Sequence, residues 1–180
     1  LILGEAKLPI FIRLSEYTSQ RWGEFGIDNN LPIEEYLGRY IEERIAVKDN
    51  LSHFHNLVRT YLQDGKSIFF FDGLDEVTNL AQRHAVVAEI ENLIRKWMPG
   101  QNGNCPLDNY HPVFDENAKG NQAIITSRIV GYHMRPMHEN LPHFVIQEMD
   151  DASIKQFCIN WADATNISHK GEVLYSSISE

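Results

Sequence analysis

The sequence predicts an α/β fold, a mostly parallel sheet flanked by helices, with the start of a helical domain at its C-terminal end. Three observations predict it. Ile68 to Phe71 is an unbroken apolar run, as expected of a strand covered on both faces. Ala123 to Thr126 (Ala-Ile-Ile-Thr) is a second short run of the same kind. Stripes of helical period lie between and around them, so the order reads strand, two helices, strand, helix, strand, strand, helix. At 180 residues the chain is long enough to bury one real core.

Leu8 to Leu14 (Leu-Pro-Ile-Phe-Ile-Arg-Leu) is the first strand candidate, opened by Pro9 at its edge. Ser15 to Asn30 is polar, holds Gly23 and Gly26, and reads as a loop packed down by Trp22 and Phe25. Leu31 to Val47 reads as a helix. Pro32, Glu34 and Glu35 suit its first turn, and Ile33, Tyr36, Leu37, Tyr40, Ile41 and Ile45 share a face. A second helix runs from Ser52, its expected N-cap, to Gln63, with Phe54, Leu57, Val58, Tyr61 and Leu62 as its stripe and Gly65 as a C-terminal cap.

After the central strand, Leu80 to Met98 carries Val86, Val87, Ile90, Leu93, Ile94 and Trp97 on one face and ends at Pro99-Gly100. Gln101 to Asn121 is rich in Asn, Gly, Pro and Asp. It is long for a connection and reads as an insertion at the rim of a site. Phe144 to Met149 is a further strand candidate. Asp150 or Asp151 then caps a helix carrying Ile154, Phe157, Cys158 and Trp161, and Gly171 to Glu180 reads as the start of another. The expected division is an α/β core over 1–150, with the insert at about 101–121, and the start of a helical subdomain over 151–180.

Composition narrows the function. A net charge of −9 and a pI near 5.3 argue against a generic nucleic-acid-binding surface, which would be basic. No apolar run approaches the length of a membrane span. Cys105 and Cys158 are far apart and in no ligand spacing, so they read as buried or idle thiols in a reducing cytosol and not as a disulfide. His53 and His55 stand two apart, and His133, His138 and His143 are spaced as loop residues without the carboxylate or Cys pattern of a zinc site. Ser127 lacks the flanking glycines of a nucleophile elbow. Asn166-Ile167-Ser168 is a glycosylation sequon that matters only in a secreted chain.

The chemistry concentrates where the central strand stops. Asp72 ends the apolar run, Gly73 follows, and Asp75 and Glu76 come next. Three carboxylates at the mouth of a buried strand are costly unless something positive meets them. In open α/β sheets the ligand crevice lies beyond the carboxyl ends of the strands. A divalent metal carrying a nucleotide phosphate tail is the simplest positive partner, with Asp72 as its protein ligand. A solvated loop is the plain alternative. Ile124-Ile125-Thr126-Ser127-Arg128 supplies a second half, because a guanidinium at the end of a neighbouring strand can stabilise a terminal phosphate. Read alone, Arg128 serves as well as a structural ion pair for Asp75 or Glu76.

The string Phe69-Phe70-Phe71-Asp72-Gly73-Leu74-Asp75-Glu76 resembles the Walker-B motif of the NACHT family of signal-transducing P-loop NTPases. Thr126-Ser127-Arg128, followed by Ile129-Val130-Gly131-Tyr132, is similar to the sensor-1 segment of many bacterial NACHT proteins. Leu8 to Leu14 resembles the family's second strand, and Phe144 to Trp161 its last core strand and the first helix of the small helical domain that follows. The resemblance implies a P-loop NTPase-like fold, ATP or GTP as ligand, Mg²⁺, and a self-oligomerising switch within a larger cytoplasmic signalling or defence protein. It implies that Asp72 holds Mg²⁺ through water and that Asp75 or Glu76 orients the attacking water, with Glu76 the preferred base. Arg128 would sense the terminal phosphate, and Gly73, Thr126 and Ser127 would complete the nucleotide site. Two other readings stay open. One is a nucleotide-binding scaffold that never turns its ligand over. The other is a mechanical ATPase of the AAA+ type, for which neither a second arginine finger nor pore loops can be identified.

The chain departs from the family in one respect. The P-loop string Gly-x-x-x-x-Gly-Lys-Ser/Thr is absent. Gly65-Lys66-Ser67 imitates its end, but Thr60 stands where the first Gly belongs and the triplet precedes a strand. The chain therefore reads as a piece of a longer protein, with the P-loop expected upstream of Leu1. The strand before that P-loop belongs in the middle of the sheet, so this piece is expected to have a gap in its core and to bind nucleotide poorly alone.

Overall fold

The computed structural model describes residues 6–23, 29–44, 51–98, 107 and 120–178, with the backbone alone at 41–44 and 51–55. Alternation sets the first strand, β1 (Leu8–Arg13): Ile10 and Ile12 point into the core while Pro9, Phe11 and Arg13 face out. β2 (Ser67–Asp72) has no such alternation, and Ser67, Ile68, Phe69 and Phe71 are all buried. It lies in the middle of a three-stranded sheet of order β1-β2-β3, with β3 (Gln122–Ile125) on its other side. Both pairings are parallel, Ile12 opposite Phe71 and Phe71 opposite Ile125. The chain is thus an α/β fold built on a small parallel sheet. Among the described residues no strand pairs with the outer edge of β3, where Ile124 is 46% exposed.

Four helices flank the strands: α1 (Leu14–Trp22), α2 (Ile33–Arg44), α3 (Leu51–Gln63) and α4 (Leu80–Trp97). α4 starts where Asn79 caps it, its Oδ1 accepting the Gln82 N–H at 3.1 Å. Val86, Val87, Ile90, Leu93 and Ile94 form its buried face, and α4 packs on both α1 and α2. The core joins these residues to Leu14, Tyr17, Ile33, Tyr36, Phe69 and Phe71. Tyr17 and Tyr36 meet edge to face, with ring centres 5.2 Å apart.

Three local expectations need correction. Ser15 to Asn30 is not all loop, because α1 occupies its first half. Leu14, Tyr17, Arg21 and Trp22 recur at helical spacing and are buried, whereas Gly23, at φ 58°, ends the helix. Ser52 is not an N-cap, since the helix already includes Leu51. Phe144 to Met149 is not a strand: it joins no strand ladder among the described residues and its apolar side chains are exposed, Ile146 almost completely. Elsewhere the stripes hold with exceptions. Ile33, Tyr36 and Leu37 are buried, whereas Leu57 is exposed. Phe25, Ile45, Cys105 and nearly all of the expected insert lie outside the described residues, as do the side chains of Ile41 and Phe54.

The chain divides into two compact units, Leu1–His143 and Phe144–Glu180. In the second, Asp150 caps α6 (Asp151–Ala164), accepting the Ser153 N–H at 2.8 Å. Hydrogen bonding from the Ser153 side chain, with this N–H bond second, holds the Asp150 carboxyl below the usual carboxylate pKa range. Cys158 and Ala162 are the buried positions of α6, and α7 (Gly171–Ile178) approaches at Gly171, where an added Cβ would lie 3.0 Å from the Ile159 Cα. Phe157 and Trp161 are exposed. No helix among the described residues is long and apolar enough to cross a membrane.

Candidate functional site

The ladder between β2 and β3 continues past both strands. The Thr126 N–H donates to the Phe71 carbonyl at 2.9 Å, and the Leu74 N–H donates to the Thr126 carbonyl at 3.0 Å. Thr126 also works through its side chain, donating to Asp72 Oδ1 at 2.7 Å and accepting the Gly73 N–H at 3.1 Å. Gly73 sits at φ 79°, a left-handed conformation that a residue with a Cβ adopts only at a cost. This reversal throws the chain into a tight turn, Leu74–Glu76, whose Leu74 is buried as an anchor. The turn presents Asp75 half-buried and Glu76 exposed.

From β3 the chain passes through Ser127 and Arg128 into a single turn of helix, α5 (Ile129–Tyr132). Asp75 meets this segment directly. Its Oδ1 accepts the Arg128 N–H at 2.9 Å, and its Oδ2 lies 3.6 Å from Arg128 Nε. The Arg128 side chain is 87% exposed, so the ion pair itself is screened and weak, whereas the bond to the backbone fixes the segment. Ser127 Oγ donates to the carbonyl of its neighbour Arg128 at 3.1 Å. Behind the turn lies Arg83 of α4, only 4% exposed, which donates to the carbonyls of Val77, Gly131 and Asp75 at 2.9, 2.6 and 3.1 Å.

Asp72, Gly73, Asp75, Glu76, Thr126, Ser127 and Arg128 line one open cavity of about 220 Å³ at the carboxyl ends of β2 and β3. All seven residues singled out in the sequence therefore come together. Three carboxylates against one guanidinium leave the cavity negative, which suits a cation. No three His, Cys, Asp or Glu side chains among the described residues converge as a metal cage. The donor set fits Mg²⁺ held by one carboxylate, with water and phosphate oxygens completing the shell. Asp72 is placed for that role. Its Oδ1 is fixed by Thr126, and no donor among the described residues occupies its Oδ2.

Arg83 escaped the sequence reading, and Gly131 entered it only as part of the string Ile129 to Tyr132. The available signal was positional, since Arg83 stands three and four residues before Val86 and Val87 on the buried stripe of α4. Gly65-Lys66-Ser67 lies at the opposite end of β2 from Asp72, and Lys66 faces Asp64 at 3.9 Å. His138 and His143 are tied up locally: His143 meets the Tyr132 hydroxyl at 3.0 Å and the His138 carbonyl at 3.1 Å. Burial pushes the Tyr132 hydroxyl above the usual tyrosine range, against the lowering effect of the Met137 N–H. The side chains of His53 and His55 lie outside the described residues. No protein-family model matches the chain, and neither a curated protein nor a solved structure matches it.

Proposed function

We propose that this chain is part of a NACHT-type nucleotide-dependent switch with a P-loop NTPase-like core, acting with Mg²⁺ on ATP or GTP within a larger signalling or defence protein. One observation carries the reading. Asp72, Asp75 and Glu76 after β2, and Thr126 to Arg128 after β3, flank a single cavity at the carboxyl ends of adjacent parallel strands. The outer edge of β3, unpaired among the described residues, supports it as a place beside this cavity for the strand that would lead into a P-loop. Asp72 would hold Mg²⁺ through water, Glu76 would orient the attacking water, and Arg128 would sense the terminal phosphate. Gly73 lets the chain turn around the site, and Thr126 and Ser127 form its β3 wall. Hydrolysis would reset a switch that self-assembles.

The test is made on the full-length protein. Glu76→Gln is expected to keep Mg²⁺–nucleotide affinity within about threefold and to lower turnover by roughly 10²–10⁴, the range of a lost general base. Asp72→Asn is expected to weaken the Mg²⁺-dependent part of binding. A wild-type protein that binds neither ATP nor GTP in Mg²⁺ overturns the reading. One observation favours a second reading, a nucleotide-binding scaffold without turnover. Asp75 is spent on holding the Arg128 backbone, as a purely structural joint would be. Nucleotide binding without measurable turnover in the wild-type protein would select it.

A further inference from the structure

We propose that Arg83 is a positioning residue, forming with Asp75 and Gly131 a joint that fixes the backbone of Arg128 while its guanidinium, exposed and among the described residues held only by a weak ion pair to Asp75, can still reach a phosphate. This inference rests on the nucleotide reading of the cavity, although the joint itself can be tested without nucleotide. A buried guanidinium is costly unless its N–H groups are satisfied. Arg83 satisfies three of them on backbone carbonyls, and among the described residues no carboxylate pairs with it. Its planar fork thus serves geometry, tying fixed points together at once. Two of those points belong to the segments that carry the site: the Asp75 carbonyl in the turn and the Gly131 carbonyl in α5.

The same two segments touch at two further places. Asp75 Oδ1 holds the Arg128 N–H. A Cβ at Gly131 would lie 2.5 Å from the Asp75 Cβ, closer than real atoms approach, so the segments are as near as glycine permits. Both Asp75 oxygens face Arg128, which makes this carboxylate a holder of the joint and leaves water orientation to Glu76. Arg128 is therefore anchored at its N–H by Asp75 and at its carbonyl by the Gly131 and Tyr132 N–H groups, each at 3.1 Å. Only its side chain is left to move.

Amide exchange on the folded full-length protein reads the joint directly. In Arg83→Met the Arg128 amide is expected to exchange at least about tenfold faster, as local opening becomes cheaper, while α4 and β2 stay protected. Unchanged Arg128 exchange in a folded Arg83→Met protein overturns the joint. A double-mutant cycle reads its purpose. Arg83→Met is expected to lower kcat by about tenfold with KM altered less than about threefold, and to cost nothing further in an Arg128→Ala background. Losses that simply add show a fold-only role and overturn the proposal. If Arg83→Met does not fold, Gly131→Ala decides, because its Cβ displaces the segment with Arg83 intact; the same exchange and the same non-additivity are expected. A wild-type protein without nucleotide binding sinks the function proposed above, while the exchange measurement still decides the joint.

Discussion

Thr126→Val separates what holds the fold from what holds the site. Valine keeps the β-branched shape and strand preference, so the backbone of the β3 end has no reason to move. The substitution removes two hydrogen bonds, from Thr126 Oγ1 to Asp72 Oδ1 and from the Gly73 N–H to Thr126 Oγ1. Both lie in an open cavity, where water replaces the lost partners. Each loss then sits at the low end for a hydrogen bond, about 0.5 kcal/mol, or about 1 kcal/mol for the pair. For a unit of this size that is a fall in Tm of about 3 °C. If Asp72 holds Mg²⁺ as proposed, the effect on the metal is expected to be far larger, because Asp72 loses the neighbour that fixes its orientation. Loss of such a supporting bond lowers metal affinity by roughly 10- to 100-fold. Thermal unfolding followed by circular dichroism measures the first effect, and Mg²⁺-dependent binding of a fluorescent nucleotide to the full-length protein measures the second. Thr126→Ser, which restores the hydroxyl, is expected to recover affinity. Mg²⁺-dependent affinity unchanged in Thr126→Val refutes the reasoning, and so does a Tm loss above about 10 °C, which would make Thr126 a prop of the fold.

Two further outcomes follow from the polar contacts. Asn121 accepts the Ser67 N–H at 2.9 Å and donates to the Leu62 and Trp97 carbonyls, both at 2.7 Å. Asn121→Ala strands these groups at the start of the central strand and is expected to cost about 2–4 kcal/mol, read as a lower urea midpoint; an unmoved midpoint contradicts it. The hydrogen bonds from Ser153, its side chain first and its N–H second, lower the pKa of Asp150 in the folded state. Its stabilising contribution is therefore present above its ordinary value of 3.8 and disappears as pH falls through the lowered one. The Ser153 amide resonance is expected to titrate with a midpoint below 3.8 in the native chain and to stay flat in Asp150→Asn; a midpoint at or above 3.8 removes the cap from the account.

Where sequence was legible, composition and burial pointed the same way. Phe69 and Phe71 advertise a strand covered on both faces, and the structure buries both. The stripe from Val86 to Ile94 announces α4. The seven cavity residues could be gathered because two short apolar runs end in polar residues, and parallel neighbours bring such ends together. Two of the failures share a physical origin in buried cations. Arg21 sits on the inner face of α1, its guanidinium 4.6 Å from the Trp22 ring, bonded to the Tyr17 hydroxyl at 3.0 Å and 3.6 Å from Glu89. An apolar count leaves that position out, and the remaining pattern looks like a loop. Arg83 hides for the same reason. Phe144 to Met149 fails in the opposite sense: its residues suit a strand, but a strand exists only where another backbone completes its ladder, and no described segment does so.

The three carboxylates that make the site conspicuous are chemically alike and occupy only five positions, yet their surroundings sort them. Asp72 has one oxygen fixed by Thr126 and the other without a donor among the described residues. Half-committed in this way, it is oriented without being used up, as a metal ligand has to be. Asp75 turns both oxygens to Arg128 and is less exposed than Glu76, so recruiting it for proton transfer would release the segment that carries Arg128. Glu76 is exposed and has no donor among the described residues. A general base must accept a proton during turnover and so must enter the reaction without a structural hydrogen bond to break. The proposed division, Asp72 for the metal, Asp75 for the joint and Glu76 for the water, thus comes from how many hydrogen bonds each carboxylate already spends.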